Sequence, residues 1–202
     1  MTTTTMTEPT SEPVTTSGTP AIPPRGLTRR TRLIALLTLC LVTVGLDQWT
    51  KWYAVHHWKG APPQIYLNGI FRIEYAENHG AFLSLLANTP PEVRFWILTV
   101  SNGFILLGLA IGLVVPRRVG MSSFLPLALV VAGGIGNLID RVRFRYVIDF
   151  LNLGIGELRT GIFNVADMAI TAGFLLILPF LFQSPSSEVP KPDAAPGPEK
   201  TA

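Results

Sequence analysis

The chain has 202 residues, enough for one domain, of which 48% are hydrophobic and only 14% charged. Soluble domains carry roughly 25% charged residues, so the shortfall argues against a soluble globule and for a membrane protein. A formal net charge of +3 is too small to argue for nucleic acid, and the single cysteine, Cys40, excludes an internal disulfide and a cysteine-based metal site.

Residues 1–28 open with a Thr-, Pro-, Ser- and Glu-rich stretch that holds too few large apolar side chains to bury a core. A disordered tail is expected there, and another at 184–202, which carries five prolines. Between them lie four apolar segments, at about 33–55, 95–115, 119–139 and 161–182. A bilayer-spanning helix needs about 20 apolar residues. The second and third segments hold no charged residue, the fourth holds only Asp167, and the first holds Asp47 and Lys51. The pattern predicts an all-α membrane protein, a bundle of four transmembrane helices. A cleaved signal peptide is the alternative for the first segment, since Arg25, Arg29, Arg30 and Arg32 precede it. No small-x-small cleavage site follows, and Leu39 is too large to precede a lipid-modified Cys40, so Cys40 reads as helix packing.

Lys and Arg in short loops set orientation. Arg25, Arg29, Arg30 and Arg32 before the first span, with Arg117 and Arg118 between the second and third, put both termini in the cytoplasm. Arg141, Arg143, Arg145 and Arg159 then face outward against the rule. The outer loop, about 58–91, contains Gln64-Ile65-Tyr66-Leu67 and Ile70-Phe71-Arg72-Ile73-Glu74-Tyr75 around Asn68-Gly69. Asn-Gly takes the positive φ angles of a tight turn, so a small extracytoplasmic β-sheet is predicted. Trp49, Trp52, Tyr53, Trp58 and Trp96 suit an aromatic belt at that interface. Gly108 with Gly112, and Ala132 with Gly136, are small-xxx-small pairs that read as close helix packing.

Ionisable groups at membrane depth are costly and usually face a bundle interior or a cavity. Asp47 and Lys51 are four apart and share a helix face, which fits a structural ion pair or the border of a site. Gly133, Asn137, Asp140 and Arg141 fall on one face of the third span, a polar network that is either structural or functional. Asn78 alone would be an ordinary turn residue. Asp149 sits between apolar neighbours, which disfavours its charge. Asn164, Asp167 and Thr171 share a face of the fourth span, where Asp167 alone could be a helix-start carboxylate. Asp149 and Asp167 are the chemically interesting pair. Two close carboxylates share one proton; the ionised one can activate water for attack on an amide carbon while the protonated one donates to the carbonyl oxygen. That chemistry needs no metal and no cofactor. Rival chemistries lack residues: there is no His-Glu-x-x-His, adjacent His56 and His57 point to different helix faces, no Gly-x-Ser-x-Gly occurs, and Asn137 stands where the Gly-x-Gly-Asp of presenilin-like proteases needs an acid.

Five ordered stretches bring these residues together: Asp47-Gln48-Trp49-Thr50-Lys51, Glu77-Asn78-His79-Gly80-Ala81-Phe82, Gly133-Gly134-Ile135-Gly136-Asn137-Leu138-Ile139-Asp140-Arg141, Val147-Ile148-Asp149-Phe150 and Phe163-Asn164-Val165-Ala166-Asp167. With the four spans, they resemble the bacterial lipoprotein signal peptidase (signal peptidase II) family over residues 33–182. The resemblance implies a four-helix membrane peptidase domain at 29–183 with a small outer β-cradle, between cytoplasmic tails at 1–28 and 184–202. It implies a bacterial cytoplasmic-membrane aspartic endopeptidase that cleaves diacylglyceryl-modified prolipoproteins before the lipid-bearing cysteine, near the extracytoplasmic face. It implies Asp149 and Asp167 as catalytic residues. Asn78, Gly80, Gly133, Asn137, Asp140, Arg141 and Asn164 are implied to line the site, with Asp47 and Lys51 bordering it. Partners implied are the prolipoprotein substrates and membrane lipids, with no nucleic acid, and a monomer is expected. The commoner family pattern after the asparagine is x-Gly-Ala-Ala-Phe; here Gly80-Ala81 runs directly into Phe82-Leu83, a local variant in which Phe82 or Leu83 meets substrate. Two other classes compete: a proton-coupled carrier using Asp140, Arg141, Asp149 and Asp167 as relay groups, which would favour repeated halves that the sequence lacks, and an inactive scaffold of the same fold.

Overall fold

The computed structural model describes residues 27–80, 89–116 and 120–181. Most of both predicted tails, Arg25, Arg117, Arg118 and residues 81–83 lie outside the described residues.

Helix α1 (Arg29–His57) starts at Thr28, whose side-chain oxygen accepts from the Thr31 N–H and caps the first turn. The second apolar segment is one continuous rod. It begins as α2 (Pro91–Phe95), with proline at the position where its missing N–H costs nothing. It passes through a π-helical segment (Trp96–Ser101) and ends as α3 (Asn102–Val114). Helix α4 (Met121–Phe144) runs a full turn past the end of the apolar segment and carries Asp140 and Arg141 on it, as their shared face predicts. Helix α5 (Val165–Leu181) starts later than predicted, because Asn164 caps it. Three rods are long and apolar enough to cross a membrane, and α5 is a shorter apolar helix. Helix α4 is central: it packs against α1, α3 and α5.

Glycine fixes how close these helices come. A Cβ on Gly133 would collide with the Ala166 carbonyl oxygen, and one on Gly136 would lie 2.7 Å from an Asp47 carboxylate oxygen. Gly136 thus packs as its small-xxx-small pair with Ala132 predicts. Gly108 and Gly112 do not: a Cβ on either meets nothing within 4 Å, and the two line an open pocket beside Ser123 and Leu127 of α4. At the end of the bundle away from the sheet, Leu36, Leu113, Phe124, Ala128 and Val131 form an apolar core against which Cys40 packs. There the buried Arg32 guanidinium donates to the carbonyls of Leu113 (3.0 Å) and Pro116, which satisfies the end of α3.

At the other end of the bundle lies a four-stranded antiparallel sheet in the order β1-β2-β3-β4. It comprises β1 (Gln64–Tyr66), β2 (Phe71–Asn78), β3 (Val147–Ile155) and β4 (Leu158–Arg159). The predicted hairpin is β1–β2. Its connection is a 3₁₀ turn with positive φ at Leu67, Asn68 and Gly69, longer than a two-residue turn. Strands β3 and β4 were not expected. The fold is therefore mostly helical with a larger sheet than the sequence suggests, and β3 at its centre carries Asp149.

Candidate active site

The predicted residues converge where the sheet meets the bundle. Asp149 is on β3, opposite Ala76 of β2. Asn78 lies one diagonal step away and donates from its amide to Asp149 Oδ2 at 3.0 Å. Phe163 exchanges backbone hydrogen bonds with Leu151 at 2.8 Å in both directions, which brings the start of α5 alongside β3. Asn164 therefore reaches Asp149: its side-chain N–H donates to Oδ1 at 2.6 Å.

Asn164 also fixes Asp167. Its backbone N–H donates to Asp167 Oδ2 at 3.1 Å, and its Oδ1 accepts from the Asp167 N–H at 2.9 Å. This reciprocal pair is a capping box, with Asp in place of the usual Glu. Asn137 of α4 completes the set: it donates to Asp167 Oδ1 at 2.7 Å and accepts from Asn164 Nδ2 at 3.0 Å. Two carboxylates on separate elements are thus held by a single asparagine. Asp149 is 1% exposed, while Asp167 is only partly covered. Burial, and next the charge of Asp167, push the Asp149 carboxyl up to about 7; the donated bonds from Asn78 and Asn164 oppose this.

Beneath the pair is a second charged cluster. Lys51 Nζ contacts Asp47 Oδ2 at 2.8 Å, Asp140 Oδ2 at 2.9 Å and Asn137 Oδ1 at 3.0 Å. Asp47 Oδ1 accepts from the Ala166 N–H at 2.9 Å, one residue before Asp167. Asp140 Oδ2 accepts from the Ile148 N–H at 3.1 Å, one residue before Asp149. Both carboxylates are therefore tied to the backbone next to an aspartate of the upper pair. Sequence reading passed over Gln48, whose amide donates to Asp140 Oδ1 at 2.9 Å. Its place directly after Asp47 in a polar patch of an apolar helix was the available signal.

The other predicted positions differ in kind. Gly133 sits against α5 and serves the helix crossing rather than the carboxylates. Gly80 is buried, and its N–H donates to Asn78 Oδ1 at 3.1 Å, which orients that amide. The Arg141 side chain makes no hydrogen bond or salt bridge with another described residue; it lines a pocket beside the site, within electrostatic reach of Asp149 and Asp167. Thr171 is exposed and apart from the cluster. Among the described residues, no group of three His, Cys, Asp or Glu side chains could hold a metal ion.

A family model described as signal peptidase (SPase) II matches residues 39–183. The lipoprotein signal peptidase of Syntrophus aciditrophicus is 40% identical over 152 residues, covering 73% of this chain and 94% of that protein. That of Sphingopyxis alaskensis is 39% identical over 144 residues, covering 70% and 82%. A bacterial membrane enzyme solved by the in meso method at 2.3 Å superposes with a TM-score of 0.68 at 25% identity, covering 79% of this chain and 94% of that one. The match takes in the apolar helices and all the polar residues described above. The chain belongs to the signal peptidase II family, and is accordingly an aspartic peptidase and a multi-pass protein of a bacterial membrane.

Proposed function

We propose that Asp149 and Asp167 are the catalytic pair of a peptidase that removes signal peptides from diacylglyceryl-modified prolipoproteins, cutting before the lipid-bearing cysteine. The observation that carries this is Asn164, which binds both carboxylates at once and brings them to one mouth. Asp149, with its carboxyl raised to about 7, is the protonated partner. Asp167, with two N–H donors on its oxygens, is the ionised one. Asp167 takes a proton from water, which attacks the amide carbon, while Asp149 donates to the carbonyl oxygen; as the C–N bond breaks, Asp167 gives its proton to the departing amine and Asp149 takes one back from a hydroxyl of the intermediate. Above about pH 7 Asp149 loses its proton, and the rate falls with it.

The sheet end faces the extracytoplasmic side, with both termini in the cytoplasm. Support comes from Arg29, Arg30 and Arg32 at the opposite end and from exposed Trp49, Trp52 and Trp96 at the sheet end. Helix α5 is the fourth span. Its 17 residues extend about 26 Å, close to a hydrocarbon core of about 30 Å. The peptidase domain occupies 29–183 and acts as a monomer, with its tails at 1–28 and 184–202 in the cytoplasm. Cysteines placed at 61–64 label from outside in intact cells and cysteines at 117–118 do not; the reverse would invert the topology.

Purified protein is incubated with a lipidated prolipoprotein, and processing is read by gel shift. Wild type cleaves, whereas Asp149→Asn and Asp167→Asn each lose about 10²- to 10⁴-fold while still folding. Cleavage at the wild-type rate by either variant removes that residue from the pair.

A further inference from the structure

We propose that Arg145 makes the pocket beside the catalytic pair a charge-reading subsite, which favours an acidic over a basic side chain just after the substrate's lipid-bearing cysteine. The proposal rests on the peptidase reading above.

Arg145 ends α4 with φ 68°, in the left-handed region, and its N–H closes the helix on the Arg141 carbonyl at 3.1 Å. Glycine is the residue that makes this cap without strain. An arginine there costs backbone energy and brings a guanidinium to a fixed place. That guanidinium lies 3.7 Å from the centre of the Phe95 ring, a cation–π contact that pins it to the start of the second rod.

The two residues line a pocket of about 290 Å³ together with His79, Glu92, Arg94 and Arg141. Arg94, Arg141 and Arg145 stand against Glu92 in the lining, which is net positive, with Arg94 also donating to the Thr89 carbonyl at 2.8 Å. The pocket adjoins the catalytic pair by two routes. His79 follows Asn78, which binds Asp149, and Arg141 follows Asp140, which binds the backbone before Asp149. Pro91, Phe95 and Leu98 give the pocket an apolar wall, but its charged groups have no use for the apolar core of a signal peptide or for acyl chains, both of which belong against the spans. The segment left is the one leaving the membrane on the far side of the scissile bond. A pocket of about 290 Å³ has room for any one side chain, and the first residue after the cysteine is the unlipidated position on that side nearest the scissile bond.

The test uses three lipidated prolipoproteins that differ only at that residue: Asp, Asn or Lys. Wild type at low salt prefers Asp over Lys by about 5- to 10-fold in kcat/KM, a ratio fitting a partly exposed charge contact, and added salt shrinks it. Arg145→Gly, which suits the left-handed cap, reduces the ratio to within about 2-fold. Arg145→Lys keeps the charge and retains most of the preference. Because each ratio is internal to one variant, a general loss of folding cancels. Equal rates for Asp and Lys in wild type, an unchanged ratio in Arg145→Gly, or equal losses in both variants would overturn the subsite. If wild type cleaved none of the three, the peptidase reading would fall and the subsite with it.

Discussion

Two acidic clusters lie one above the other in this molecule, and they are built on opposite rules. In the lower one, Asp47 and Asp140 share the ammonium of Lys51, and all three side chains are almost fully buried. In the upper one, Asp149 and Asp167 make no salt bridge among the described residues; their partners are neutral amides and backbone N–H groups. A cation in contact would hold both upper carboxylates ionised and remove the proton that the proposed mechanism has one of them donate. The lower cluster has a cation in direct contact and serves as a foundation, while the upper pair has none in contact and feels the charge of Arg141 only from a distance. Asn137 joins the two, accepting from Lys51 and donating to Asp167.

The comparison breaks most visibly at Lys51. Lys51→Met leaves Asp47 and Asp140 buried without a cation, and breaking such a cluster costs about 3–5 kcal/mol. The variant is expected to melt far below wild type in detergent, or not to accumulate. A variant with unchanged melting and normal activity would show that the lower cluster is not a foundation.

Much of this arrangement was legible in the sequence, and the gaps have physical causes. Charged residues inside apolar runs marked Asp47, Lys51, Asp140, Asp149 and Asp167, because such groups are too costly to keep without a purpose. Strand β3 escaped notice because Val147, Ile148, Asp149 and Phe150 are all buried. A strand covered on both faces shows no alternation of apolar and polar residues. The Gly108–Gly112 motif misled for a related reason: spacing says that two residues share a face, not that another helix packs close against it. The hydrogen bonds from Ala166 and Ile148 to the lower carboxylates come from backbone N–H groups, about which side-chain identity says nothing.

The poise of the upper pair has its own signature in pH. The Asp149 carboxyl rises from 3.8 to about 7 on folding, so the folded state holds a proton that the unfolded chain has released. Its contribution to stability is full below pH 3.8 and is lost as pH rises towards 7, on the order of a few kcal/mol in all. Wild type is therefore expected to lose melting temperature between pH 5 and pH 8, and Asp149→Asn to lose much less. Parallel curves for the two proteins would mean that Asp149 carries no raised carboxyl.

Asn164 sharpens the contrast because it binds both carboxylates of the upper pair and neither of the lower. Asn164→Ala removes the bond to Asp149 Oδ1, the cap of α5 and one donor to Asn137 Oδ1, while leaving the Lys51 ion pairs with Asp47 and Asp140 in place. Hydrogen bonds to charged groups contribute roughly 1.5–3 kcal/mol, so processing should fall by about 10- to 100-fold with a modest drop in melting temperature. A loss of stability as large as that of Lys51→Met would place Asn164 in the foundation instead.

The smallest effect is expected at the other paired lysine among the described residues. Lys59 contacts Glu77 Oε1 at 2.8 Å, the same distance that separates Lys51 from Asp47, yet its side chain is half exposed. The contact raises the Lys59 ammonium and lowers the Glu77 carboxyl, so both stay charged. Water already solvates each of them, and the pair replaces little that solvent does not supply. Lys59→Ala should melt with wild type within error, although the contact ties the end of α1 to β2. Equal distances with opposite consequences would show that burial, not geometry, makes Lys51 indispensable. A large loss at Lys59 would instead make the anchoring of β2, and with it the placement of Asn78, depend on that exposed pair.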